Sequence, residues 1–200
     1  MIPDHLASLG WYPGHRAWVE REFGTQPHGV APDAPPVRAN LTDAVLAGVD
    51  LSWAVLVSAN CAGTDFTGSN FTGANFTGVN FTGAGLADSD FYGARLTGAN
   101  CTGANCAGTD FSRANLRFAD FSDAELRGAN FDRANLRGTN FDGADLRGAN
   151  FTRATFRFTD FTRADLRGAD FTGANINGAN FDGADLRGAI GLPATSEEGE

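Results

Sequence analysis

Residues 69–83 read Ser69-Asn70-Phe71-Thr72-Gly73, Ala74-Asn75-Phe76-Thr77-Gly78, Val79-Asn80-Phe81-Thr82-Gly83. A large apolar residue returns at every fifth position, and a small residue stands two places before it. Followed outward, the pattern runs unbroken from Leu41 to Leu186. The large position occurs thirty times, as fourteen Phe, twelve Leu, three Cys and one Ile, and the small position is always Ala, Val, Ser or Thr. A short period kept for this long marks a solenoid. Phe at every fifth residue cannot line one face of a helix, because five steps of about 100° carry each ring about 140° around the axis. Small-x-large, as in Ala74-Asn75-Phe76, is instead the alternation of a strand, with both side chains on one face. Five is odd, so an unbroken strand would send the next Phe to the opposite face. To keep every Phe inside, the chain must turn once per unit, and Gly68, Gly73, Gly78 and Gly83 stand where such turns fall.

Units such as Ala144-Asp145-Leu146-Arg147-Gly148 and Ala184-Asp185-Leu186-Arg187-Gly188 carry a family resemblance. About three quarters of the chain resembles the pentapeptide-repeat family. The resemblance implies an all-β fold: a right-handed quadrilateral parallel β-helix with four pentapeptides per coil and the small and large residues inside. Thirty units would make seven and a half coils, a rod of roughly 36 Å at ~4.8 Å between stacked strands. All thirty large side chains are expected to be buried. Some members of the family are rods that mimic DNA, bind DNA gyrase and guard it from quinolones or toxins, so the resemblance also implies gyrase as a partner and antibiotic resistance as a role. Those members dimerise through a C-terminal helix, whereas here Ala189-Ile190-Gly191-Leu192-Pro193 breaks the register and no helical segment of that kind is expected. The oligomeric state stays open.

The sequence divides into three parts. Residues 1–39 lack the repeat and read as two short helices followed by a stiff linker containing Pro27, Pro32, Pro35 and Pro36. Residues 40–192 are the repeat, and residues 193–200 read as a disordered acidic tail. In the first coil, outward positions carry Val45, Trp53, Val55 and Val57, where later coils carry Asn, Thr, Asp, Arg or Gly. An apolar outer surface confined to the first coil needs a cover. The N-terminal helices, with Trp11, Trp18 and Phe23, are expected to fold back on it as a terminal cap; the alternative is that they are held out for a partner.

Bulk properties exclude more than they identify. The formal charge is −9, with every cation an arginine and no lysine. Residues 41–90 contribute five acids and no base, whereas residues 91–190 balance twelve acids against twelve arginines. No apolar run is long enough to span a membrane, and the first residues lack the features of a secretory signal. The expected compartment is the cytoplasm. Cys61, Cys101 and Cys106 all occupy large-apolar positions and read as buried thiols. His5, His15 and His28 lie outside the repeat, no Cys/His cluster has zinc spacing, and the glycines are turn positions rather than a phosphate loop. No cofactor, no metal and no enzymatic activity are expected.

With four pentapeptides per coil, residues twenty apart share a face. One face carries Glu125, Asp145, Asp165 and Asp185 beside Arg127, Arg147, Arg167 and Arg187, a salt-bridged ladder. A second carries Asp120, Asp142, Asp160 and Asp182, flanked by Arg163 alone, with an Asn ladder at Asn40, Asn60, Asn80, Asn100, Asn140 and Asn180. A third has Arg95, Arg117, Arg137 and Arg157 and no acid. Arg113, Arg133 and Arg153 line the corner leading into that face. Phe118 and Phe158 stand at its outward turn position, two coils or about 10 Å apart. Arginine and aromatic side chains are common interface anchors, so this face is the candidate binding site of a protein-binding scaffold. Its bland alternative is that the rings only cover corner backbone. Direct nucleic-acid binding through the arginines runs against the net negative charge.

Overall fold

The computed structural model describes residues 39–192. Every fifth residue from Asn40 to Asp170 forms a parallel bridge with the residue twenty positions on. One coil therefore takes twenty residues, with four short rungs and four turns, and the coils stack in register. The architecture is a right-handed quadrilateral β-helix, as the repeat predicts. Four faces follow. Face 1 carries the bridging residues from Asn40 to Asn180 and face 2 those from Val45 to Asp185. Face 3 runs from Asp50 to Ile190 and face 4 from Val55 to Asn175.

Each unit folds for local reasons. After the large residue the chain turns, and the next small residue donates back to the large residue's carbonyl, as Ala134 N does to Phe131 O at 2.9 Å. The residue before that donor has positive φ, the mark of a type II turn. Glycine holds this position in most units, and eleven non-glycine residues also adopt it. Between coils, Phe131 N donates to Asn150 O at 2.6 Å, Arg133 N to Thr152 O at 2.9 Å, and Asn130 N to Thr109 O at 2.9 Å. Each unit's backbone is thus satisfied by the coils above and below. Outside, Asn or Asp at the bridging position accepts from the amide two residues on, as Asn130 Oδ1 does from Asp132 N at 3.1 Å. The same side chains form ladders: Asn150 Nδ2 donates to Asn130 Oδ1 at 2.9 Å, and Asn130 Nδ2 to Asp110 Oδ1 at 3.0 Å.

The interior is two walls of phenylalanine facing each other between two walls rich in leucine. On face 3, Phe71, Phe91, Phe111, Phe131, Phe151 and Phe171 stack with centroids 4.6–5.2 Å apart. On face 1, Phe121, Phe141, Phe161 and Phe181 stack at 5.1–5.4 Å. The walls meet edge to face, as at Phe131 and Phe141 (5.7 Å, 79°), an arrangement that suits the aromatic quadrupole. Where the inward small residue is polar, its hydroxyl finds a carbonyl: Thr64 donates to Leu41 O at 2.6 Å, Thr109 to Leu86 O at 2.7 Å, and Thr139 to Leu116 O at 2.8 Å. Cys61, Cys101 and Cys106 are buried and free. Burial pushes the Cys61 thiol up to about 12 and the other two upward as well, which disfavours the thiolate form.

Both ends of the rod depart from the regular pattern. Complete burial of the large residues holds as far as Phe171. Ile176, Phe181 and Leu186 are only partly buried, because among the described residues no coil stacks on them. At the other end Val45 and Trp53 are exposed, and Val55 and Val57 are half-buried. The Trp53 indole lies over Gly73 of the next coil, where an added Cβ would come within 2.5 Å of Cε3. The cap expected at Trp11, Trp18 and Phe23 and the tail expected at 193–200 fall outside the described residues. No helix among the described residues is long and apolar enough to cross a membrane.

Candidate functional site

Face 2 pairs its charges along most of its ladder, whereas faces 1 and 3 stay acidic. On face 2, Asp145 takes Arg127 Nε at 2.5 Å and Arg147 Nη2 at 2.8 Å. Asp165 takes Arg167 at 2.6 Å with Arg147 at 3.5 Å, and Asp185 takes Arg187 at 2.6 Å with Arg167 at 3.6 Å. Hydrogen bonds from Arg147 hold the Asp145 carboxyl well below the usual range. Those from Arg187 bring Asp185 down to about 2. On face 1, Arg163 pairs with Asp142, while Asp120 and Asp160 accept from Asn140 and Asn180 at 3.1 and 3.3 Å. Asp182 shares that face. Face 3 is mostly Asn and Asp ladder.

The lowered carboxylates give a pH dependence. A folded value below the unfolded one near 4 contributes stability that is full above pH ~4 and is lost as pH falls through the folded value. The urea midpoint is expected to fall between pH 5 and pH 2. The triple variant Asp145→Asn, Asp165→Asn, Asp185→Asn should show a shallower fall; an unchanged slope would mean the ladder adds nothing. These pairs are exposed, so the effect is small.

Face 4 is built differently. Arg117, Arg137 and Arg157 occupy the same place in their units as Arg127, Arg147 and Arg167 do on face 2. The residue two positions earlier, acidic throughout that ladder, is here Asn115, Asn135 or Thr155. No ion pair to these arginines forms among the described residues. They stack on aromatic rings instead: Arg117 Cζ lies 5.3 Å from the Phe118 centroid, and Arg157 and Arg137 lie 5.0 and 5.9 Å from that of Phe158. Such contacts hold the guanidinium planes in place. The Nε atoms of Arg117 and Arg137 are buried and meet no acceptor. Arg95 stands one coil earlier on the same face, bridged to Asn115.

Both edges of this row are turn positions. Arg113, Arg133 and Arg153 form the corner from face 3, at φ 57, 56 and 56°. Arg133 lies 3.6 Å from Asp132, and Arg113 stacks on Tyr92 at 5.6 Å. Phe118 and Phe158 form the corner toward face 1, at φ 58 and 62° and 56% and 59% exposed. The Phe118 ring reaches over Gly138, where an added Cβ would lie 2.6 Å from Cδ1. It therefore covers backbone and still presents more than half its surface. Phe158 reaches toward the same coil through Arg137. Tyr92, 41% exposed, was not among the sequence candidates, although it is the one aromatic residue at its position in all thirty units.

The family model for pentapeptide repeats matches eight copies, over residues 37–73, 59–98, 94–133, 129–168 and 149–188. No curated protein matches the chain. Among solved structures the chain is similar to QnrB1, a plasmid-mediated fluoroquinolone resistance protein, at 22% identity over 74% of this chain and 79% of that one, with a TM-score of 0.59. It is also similar to HetL, involved in heterocyst differentiation regulation in the cyanobacterium Nostoc sp. strain PCC 7120, at 26% identity over 76% and 86%, with a TM-score of 0.44. A third is a protein of the Arabidopsis thaliana thylakoid lumen, at 25% identity over 76% and 75%, with a TM-score of 0.33.

Proposed function

The chain belongs to the pentapeptide-repeat family, and from that premise we propose that it is a non-enzymatic protein-binding solenoid whose partner docks on face 4. One observation carries this reading. Phe118 and Phe158 hold left-handed turn positions where Gly98, Gly138 and Gly178 stand on the same corner. A bulky residue there is strained by roughly 1–2 kcal/mol, and strain of this kind concentrates where function needs a side chain. Exposed rings backed by stacked arginines have the composition of an interface centre.

A photo-cross-linking residue placed at Phe118 in cells should capture one discrete protein, whereas the same probe at Thr67 on face 2 or Thr82 on face 1 should not. Equal capture from all three sites, or none from Phe118, removes the reading. The gyrase alternative draws on the rod shape and on the acidic N-terminal half, residues 41–90. Against it, Asp145, Asp165 and Asp185 of face 2 are already met by arginines, and the likeness to QnrB1 extends to the fold alone. Protection of gyrase supercoiling from a quinolone at micromolar protein would favour that alternative.

A further inference from the structure

Faces 2 and 4 are an internal comparison within one rod. At matched positions face 2 sets a carboxylate beside every arginine of its ladder from Arg127 onward. Face 4 sets an amide or a hydroxyl there, at Asn115, Asn135 and Thr155. The row Arg117, Arg137, Arg157 is thus a ladder with its countercharge removed, and two of its Nε donors are buried with no acceptor. Buried, charged donors left unmatched are unfavourable, and their aromatic stacking fixes them in advance of binding, which lowers the ordering cost of contact. Among the described residues no carboxylate meets this row, so it is open to a negative partner from beyond the coil.

We propose that face 4 binds an acidic, extended polypeptide segment lying along the rod axis, with carboxylates on Arg117 and Arg157. The proposal rests on the reading of face 4 as the docking surface and names the chemistry of what docks there. Two coils separate Arg117 from Arg157, and likewise Phe118 from Phe158, a step of about 9.6 Å at ~4.8 Å per coil. A polyproline II segment presents the same side every three residues, about 9.3 Å. An acid at every third residue therefore keeps step with the row. Arg137 lies midway, and the two rings form an apolar wall along one side. Nucleic acid fits less well: it brings a phosphate at every nucleotide against Asp120 and Asp160 just beyond the Phe corner and a net charge of −9, whereas a segment with one acid in three residues carries less charge into the same field.

The test uses the full-length chain and a fluorescein-labelled peptide of four Glu-Pro-Pro repeats, read by anisotropy at low salt. Controls are the Gln-Pro-Pro peptide and a twelve-nucleotide single-stranded DNA. The acidic peptide is expected to bind, with affinity reduced at least about tenfold in the triple variant Arg117→Gln, Arg137→Gln, Arg157→Gln. It should be unchanged in Arg127→Gln, Arg147→Gln, Arg167→Gln. Far-UV circular dichroism melts check folding, and the single variant Arg157→Gln, at an exposed position and one of the two proposed carboxylate contacts, serves if the triple fails to fold; it too should weaken binding. Absent binding, equal losses in both triples, equal binding of the Gln peptide or tighter binding of the DNA each overturn the proposal. A discrete cross-link at Phe118 without peptide binding removes the acidic-segment chemistry and leaves the docking reading. Loss of both removes the docking reading too.

Discussion

Phe131→Ala is expected to destabilise the rod by about 3–5 kcal/mol, the range for emptying a buried phenylalanine site. Its ring is fully buried and lies nearly parallel to Phe111 at 5.2 Å and to Phe151 at 4.9 Å. It also meets Phe141 edge to face at 5.7 Å. The void has little chance to collapse, because Asn130 and its neighbours are bridged to both adjacent coils. Against a typical total stability of about 5–15 kcal/mol, this one change takes a large share. Phe181→Ala, on the partly covered last coil, is expected to cost clearly less. Urea unfolding with amide exchange is the measurement, since coils can open separately in a solenoid. A loss below about 1 kcal/mol at Phe131 would mean the core repacks freely and the stacked wall does not set stability.

The second large effect lies on the surface. The double variant Phe118→Gly, Phe158→Gly is expected to weaken partner binding by about a hundredfold, as removal of two central anchors does. The melting temperature should move little. Glycine is the residue this corner already carries at Gly98, Gly138 and Gly178. Relief of left-handed strain offsets the lost cover over Gly138, each about 1 kcal/mol. The cross-linked partner, once identified, supplies the binding measurement. Unchanged affinity, or a collapse in melting temperature, would assign the rings to backbone cover alone.

Particular residues show how far the sequence could be read. Phe71, Phe76 and Phe81 reveal the fold because an odd period forces a turn in every unit, and one interior accepts every ring. The charge ladders of faces 1, 2 and 4 follow once four units make a coil. Other features depend on where a side chain goes after it leaves the backbone. That Phe118 both covers Gly138 and stays exposed depends on a rotamer, which spacing does not fix. The stacking of Arg113 on Tyr92 joins two residues one coil apart on adjacent parts of the surface. The partial exposure of Ile176, Phe181 and Leu186 reflects their place in the stack; their own units look like all the others. Tyr92 was visible as a lone aromatic at its position, and a position-by-position comparison of the thirty units finds it.

The coil length of twenty residues has a consequence for insertions and deletions. Removing any five-residue unit would leave every remaining unit able to fold, yet it would rotate all that follows by a quarter turn. If residues 129–133 were lost, Asn140 and Asp142 would follow Asn115 and Arg117 up face 4, and Arg157 with Phe158 would move to the neighbouring side. Removing twenty residues shortens the rod and leaves each side facing as before. Folding reads this chain in fives; a partner on its surface reads it in twenties. Length variants of this rod that keep the same partner are therefore expected to differ by whole coils.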